Sequence, residues 1–300
     1  SDQATIKSMA QYEEIYRYSM QQPEQFWANI ASELHWMQAW KKVLTWQEPY
    51  AKWFEAGKTN LSYNCLDRHL EHYAEKTALI WQGEPEEKRQ FTYKELHQAV
   101  CQFANGLKKL GVKKGDCITL YMPLIPELII AVLASARLGC IHNVVFGGYS
   151  VQALDTRIQD SKSKFVITAD GGYRRGKIIP LKQVMDEALL SCPLVEKVII
   201  YQRTHAEILL KADRDVWWHD VIAGVSENCP AEAMDSEDTL FILYTSGSTG
   251  VPKGIFHTTG GYMVGAYYTS KIVFDLKPED VYWCTADVGW ITGHTYVVYG

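Results

Sequence analysis

Three hundred residues exceed what one simple hydrophobic core ordinarily serves, so a small stapled scaffold is excluded and a large α/β domain or two smaller domains is expected. Thirty Lys and Arg against 35 Asp and Glu leave a net charge of −5, which excludes a global basic field of the kind that nucleic acid attracts. Hydrophobic residues at 47% and charged residues at 22% exclude intrinsic disorder.

Seven cysteines (Cys65, Cys101, Cys117, Cys140, Cys192, Cys229 and Cys284) are scattered, odd in number and never spaced C-x-x-C, which points to reduced thiols. Ser1 to Lys7 has no basic flank before an apolar core, and the longest nearly apolar stretch, Leu128 to Ala136, falls far short of the roughly 20 residues of a membrane span. No membrane partner is expected, and a soluble, reducing compartment, most simply the cytoplasm, follows. His69-x-x-His72 could place two imidazoles on one helical face, but no third ligand stands at metal spacing, so no metal site is assigned.

In chain order, residues 1 to about 60 form an aromatic-rich extension (Tyr12, Tyr16, Trp27, Trp36, Trp40, Trp46, Trp53, Phe54) without strand alternation, expected to be mainly helical and to pack its rings on something larger. Residues 61–300 then carry regular patterning. Thr77 to Trp81 reads as a strand and Gly83 to Gln90 as an exposed turn. A helix follows, with Thr92 as N-cap, Glu95 completing a capping box, Phe91 and Leu96 as the hydrophobic staple, and Gly111 past its end. Cys117 to Met122 is a strand, and Pro126 opens a helix through Leu138. Ile141 to Phe146 is a strand broken by Gly147-Gly148, after which Ser150 caps a helix through Gln159. Lys164 to Thr168, Lys197 to Tyr201 and Leu240 to Thr245 are further β runs. Buried strands alternating with helices predict an α/β fold, doubly wound and largely parallel, with binding sites beyond the strands' carboxyl ends.

The segment Leu240-Phe-Ile-Leu-Tyr-Thr-Ser-Gly-Ser-Thr-Gly-Val-Pro-Lys-Gly254 joins a buried strand to a loop suited to phosphate. Its glycines let backbone amides approach an anion, Thr245, Ser246, Ser248 and Thr249 add hydroxyls, and Lys253 adds a full charge. It is not a Walker A loop, because Pro252 rather than Gly precedes Lys253, and no G-x-G-x-x-G fingerprint occurs here or in Gly171-Gly-Tyr-Arg-Arg-Gly176. A G-x-S-x-G nucleophile elbow is absent as well.

The order of residues in this loop resembles the phosphate loop of the adenylate-forming superfamily. Trp53-Phe-Glu-Ala-Gly-Lys-Thr-Asn60, Asn64-Cys-Leu-Asp-Arg-His69, Val145-Phe-Gly-Gly-Tyr-Ser150 and Tyr282-Trp-Cys-Thr-Ala-Asp-Val-Gly-Trp-Ile-Thr-Gly-His-Thr-Tyr296 are similar to segments of AMP-forming acetyl-CoA synthetases, along nearly the whole chain. The resemblance implies an incomplete large adenylating domain over 61–300 and a ligase of acetate metabolism. Acetate would attack the α-phosphate of Mg-ATP to give acetyl-AMP and pyrophosphate, and the thiol of coenzyme A would then displace AMP. It implies that Thr245, Ser246, Gly247, Ser248, Thr249, Gly250 and Lys253 hold the ATP phosphates, with Lys253 and Thr249 stabilising the transferred charge. Phe146, Gly147 and Gly148 would form a shelf for the coenzyme A nucleotide, with Arg174 beside it. Where the family has a small residue and then a second arginine, this chain has Arg175 and Lys177 around Gly176, which keeps positive charge but loses one bidentate fork. Trp290 would gate the acyl pocket, Ile291 would wall the acetate site, and Thr292 would contact the coenzyme A arm. His257 is open between a phosphate contact and a packed side chain.

By resemblance, the adenine, Mg²⁺, ribose and hinge residues and the C-terminal lysine belong to positions after Gly300, so the 300-residue polypeptide is expected to form no acetyl-AMP alone. Two other readings stay open: a propionyl-CoA or other short-chain acyl-CoA synthetase, and a non-catalytic nucleotide- or coenzyme A-binding fragment.

Overall fold

The computed structural model describes residues 4–245, 250 and 252–300. Its main sheet has seven strands, numbered here β1 Cys117–Tyr121, β2 Ile141–Val144, β3 Phe165–Ala169, β4 Lys197–Tyr201, β5 Asp215–Trp217, β6 Thr239–Thr245 and β7 Lys253–Thr258. Their spatial order is β5-β4-β3-β1-β2-β6-β7; neighbours run parallel except β7, which is antiparallel to β6. The chain steps from β1 outward to β2 and then crosses back over β1 to β3. The loops leaving β1 and β3 therefore lead in opposite directions, and such a switch in strand order directs attention to the strands' carboxyl ends.

Strands β1 and β3 are buried along their whole length, as their unbroken apolar runs require of strands covered on both faces. Alternation sends Phe165, Ile167 and Ile199 to one apolar cluster and Val166, Val198 and Ile200 to the other. The first cluster packs under the helices Tyr93–Lys109 and Pro126–Arg137, the second under Val151–Asp160 and Leu181–Ala188. The sheet is thus doubly wound, as expected. Helix starts follow the local chemistry: the Thr92 hydroxyl accepts the Glu95 amide at 3.2 Å and the Glu95 carboxylate accepts the Thr92 amide at 2.8 Å, while Ser150 caps its helix through the Ala153 amide.

The N-terminal extension opens with the helices Met9–Gln21 and Pro23–Ala31, as its composition predicts. The structure adds a hairpin, Lys42–Gln47 against Tyr50–Glu55. Phe26 and Trp27 meet Tyr268 of the helix Thr259–Thr269 edge-on, with ring centroids 5.4 and 5.6 Å apart, so the extension's rings do pack on the larger body. Phe26, Ile30, Val43 and Phe54 join the apolar cluster of the sheet. Strand β7 is likewise an addition to the sequence reading. It is an edge strand whose Ile255 and Phe256 are exposed, so no buried face imposes a period on it. Among the described residues, no helix is long and apolar enough to cross a membrane.

Candidate active site

The expected phosphate-binding segment leaves the sheet at the carboxyl end of β6. Leu240, Phe241 and Leu243 anchor that strand in the core, and it runs out to an exposed Thr245. Lys253 opens β7 directly opposite Thr245 in the hairpin register, so the two side chains leave the same face at the sheet's rim. Gly250 has a φ of 80°. Ser246, Gly247, Ser248 and Thr249 lie outside the described residues. His257 is set four residues further along β7 and stacks on Phe241 with centroids 4.5 Å apart; burial lowers its pKa, and it is a packed side chain rather than a group at the rim.

The expected nucleotide shelf follows β2. The Arg174 guanidinium carbon sits 5.0 Å from the Phe146 ring centroid, a cation–π stack. A Cβ on Gly148 would stand 2.3 Å from Arg174 Nη1 and 2.5 Å from the Phe146 ring, so any side chain there would displace the stack from this arrangement. Arg174 ends one strand of a small hairpin, Gly172–Arg174 against Lys177–Ile179. Its two-residue turn, Arg175 and Gly176, has φ of 53° and 72°, both positive, the geometry of a type I′ turn. Arg174 and Lys177 consequently face each other across the register and are exposed together. Arg175 occupies the left-handed region that suits glycine or asparagine.

Asp170, at the end of β3, fixes this hairpin's base. Its buried carboxylate accepts the amides of Gly171, Arg203, Thr204 and Ala206 at 2.7 to 3.2 Å. The Arg203 guanidinium in turn lies 4.8 Å from the Tyr173 ring centroid.

The third segment, Asp287 to Thr292, meets the shelf from the other side. A Cβ on Gly289 would come within 3.2 Å of the Phe146 nitrogen. Burial pushes the Asp287 carboxyl up, against the Gly289 amide, which it accepts at 2.7 Å, and the nearby charge of Arg174. Trp290 and Ile291 are 54% and 45% exposed, and Thr292 is exposed as well, so these side chains form an open ledge. Trp290 is therefore not a core aromatic. His294 is fully buried: Nδ1 lies 3.1 Å from the Val288 carbonyl and Nε2 lies 3.2 Å from His142 Nε2. Burial drives its pKa to about 3, so it is neutral and serves to tie the segment to β2.

Comparison with known proteins bears on these segments. A family model described as AMP-binding enzyme matches residues 66–300. The chain belongs to that family. A second model, described as acetyl-coenzyme A synthetase N-terminus, matches residues 12–65. Acetyl-coenzyme A synthetase of Deinococcus radiodurans is 55% identical over 298 residues, covering 99% of this chain and 46% of that protein. The same-named protein of Chlorobaculum tepidum is 50% identical over 301 residues, again 46% of its length. Acetoacetyl-CoA synthetase from Streptomyces lividans has a closely similar structure, with a TM-score of 0.87 at 26% identity over 94% of this chain and 43% of that one. The resemblance read from the motifs is borne out, and the chain spans about half the length of the curated relatives it matches.

Within this AMP-binding architecture the structure brings Phe146, Gly148, Arg174 and the Asp287–Gly289 turn into contact, and sets Thr245 beside Lys253. Four residues beside these segments carry no role in the sequence reading: Asp170 and Arg157, and Tyr149 and Tyr244 within the quoted motifs; Arg157 stacks between the two tyrosine rings. Their surroundings are tertiary. A lone Asp after a strand or an Arg within a helix carries no spacing signal, although Asp170 at the end of β3 stands where the switch in strand order directs attention. Among the described residues, no group of three or more His, Cys, Asp or Glu side chains comes together to hold a metal ion.

Proposed function

We propose that this chain is the N-terminal portion of an acetate–CoA ligase, which joins acetate to coenzyme A through acetyl-adenylate with release of pyrophosphate and AMP. The observation that supports this best is the meeting of Phe146, Gly148, Arg174 and Gly289, drawn from three distant segments, at the carboxyl edge of a sheet whose neighbouring rim carries Thr245 and Lys253. The names of the relatives favour acetate as the acid.

The residues divide the work by charge and shape. In the first half-reaction an acetate oxygen forms a bond to the α-phosphorus and the bond to pyrophosphate breaks, so negative charge grows on the leaving group. Lys253, Thr245, the amide of Gly250 and the loop Ser246, Gly247, Ser248 and Thr249 would stabilise it, more in the transition state than before it. Mg²⁺ would arrive with the triphosphate and neutralise part of that charge. In the second half-reaction the coenzyme A sulfur bonds to the acyl carbon and AMP leaves with the bonding pair. Phe146, Gly147 and Gly148 would give the flat adenine a shelf, while Arg174 and Lys177, with Arg175 and Gly176 in the turn between them, would meet its phosphates. Ile291 would border the acyl group, Thr292 the pantetheine arm, and Trp290 would move between the half-reactions.

Pyrophosphate release by the whole protein, measured with acetate, propionate and acetoacetate, tests the reading: acetate is expected to give the highest kcat/KM. A preference for another acid would move the assignment to a different acyl-CoA synthetase, and no release with any of them would leave a binding fragment. The 300-residue chain alone is expected to show no acetate-dependent ATP–pyrophosphate exchange, because its Trp290 and Ile291 ledge lies open to water.

A further inference from the structure

Arg157, in the helix Val151–Asp160, is only 6% exposed yet forms no ion pair among the described residues. Its guanidinium is held instead between two aromatic faces. The carbon Cζ lies 4.6 Å from the Tyr149 ring centroid and 5.4 Å from that of Tyr244. Nη1 donates to the Ala153 carbonyl at 2.6 Å, one turn back along the helix, the direction in which helical side chains lean. A buried cation without a counter-ion is costly, and the two ring quadrupoles with that carbonyl are what offset the cost.

The two rings belong to different functional segments. Tyr149 directly follows Gly148; its amide donates to the Phe146 carbonyl at 3.0 Å, and its ring meets Phe146 edge-on at 5.7 Å. Tyr244 directly precedes Thr245 at the end of β6, and its hydroxyl donates to Asp160 Oδ2 at 2.6 Å, on the same helix as Arg157. One rigid helix therefore grips the root of the coenzyme A shelf and the root of the phosphate segment with a single side chain.

We propose that Arg157 is a positioning residue that keeps these two segments in one spatial register, so that disturbing either root is felt at both. The proposal rests on the functional reading above. A thioester-forming ligase needs it physically: the adenylate made against one segment must lie within reach of a thiol delivered along the other, and a misplacement on the order of 1 Å can cost about a hundredfold in rate.

The test uses the whole protein and two assays, acetate-dependent ATP–pyrophosphate exchange without coenzyme A, and overall acetyl-CoA formation. Arg157→Gln is expected to raise the KM for ATP in the first and for coenzyme A in the second by about fivefold each, leaving the KM for acetate in place. Arg157→Lys, which keeps the cation but not the planar stack, is expected to recover about half of each rise. Tyr149→Leu guards against a variant that does not fold: it alters only the shelf side, yet is expected to raise the KM for ATP about threefold in an assay that contains no coenzyme A. Unchanged KM values in Arg157→Gln, with or without a lower Tm, or an unchanged KM for ATP in Tyr149→Leu, overturn the coupling. A wild-type protein inactive in both assays with every short-chain acid overturns the functional reading itself, and the coupling with it, before any variant is made.

Discussion

The cations at the rim and the charges buried beneath the helix Tyr93–Lys109 are handled in opposite ways. Beneath that helix, half-buried Asp67 accepts both Nη1 and Nη2 of buried Arg137 at 2.8 Å and lies 3.2 Å from His97 Nε2, while Arg137 Nε donates to the Cys229 carbonyl. Each charge there is consumed by its neighbours. Against the desolvation that would raise it, the bonds from Arg137 and His97 hold the Asp67 carboxyl down at about 2, and the same carboxylate lifts His97 to about 9. At the rim, Arg174, Lys177 and Lys253 are exposed and form no ion pair with a carboxylate among the described residues. Paired charge builds the body; charge left open toward solvent at strand ends is available to an anionic ligand.

Four changes probe that division, from the most to the least disruptive. Asp67→Asn leaves Arg137 buried without its counter-ion and is expected to cost about 4 kcal/mol in urea unfolding, with the KM values of the folded fraction unmoved; a cost below about 1 kcal/mol would show the cluster to be dispensable. Lys253→Ala should do the reverse, reducing acetate-dependent exchange by the whole protein about a hundredfold while Tm stays in place. Retained exchange would remove Lys253 from the proposed phosphate site.

The third probe is pH. His97 has a folded pKa near 9 against 6.5 unfolded, so its stabilisation is complete below pH 6.5 and fades as pH rises through 9. After allowance for solvent screening, about 2 kcal/mol should be lost over that window, and His97→Gln should flatten the profile. Asp67 gives the mirror image: its contribution is complete above pH 3.8 and is lost as pH falls through 2. The mildest change, Arg175→Gly, relieves a left-handed φ of 53° at an exposed turn and is expected to raise stability by about 0.5 to 1 kcal/mol without altering Arg174 or Lys177. A rise in the KM for coenzyme A in that variant would instead give Arg175 a part in binding.

Much of this could be read along the chain, for identifiable reasons. The capping box at Thr92 and Glu95 is local chemistry and forms as written. Strands β1, β3 and β4 are buried on both faces and announce themselves as apolar runs. The hairpin Lys42–Gln47 with Tyr50–Glu55 and strand β7 were not visible, because Trp46, Tyr50, Ile255 and Phe256 are exposed and blur any inside–outside alternation. For the site, motif resemblance supplied names such as Phe146 and Arg174. It could not supply the contact of Gly148 with Arg174, nor the sandwich around Arg157, since both depend on segments joined only by folding.

The pairing of β6 with β2 has a kinetic consequence. Phe241 bonds beside His142, a partner made roughly a hundred residues earlier, and parallel contacts of such separation close slowly. On a ribosome adding about 5 to 20 residues per second, the free edge of β2 waits some 5 to 20 s for its neighbour, exposed to chaperones and to wrong strands alike. Protease digestion of nascent chains stalled before β6 and after it reads this directly: cleavage near Ile141–Val144 is expected in the shorter chains and protection in the longer ones.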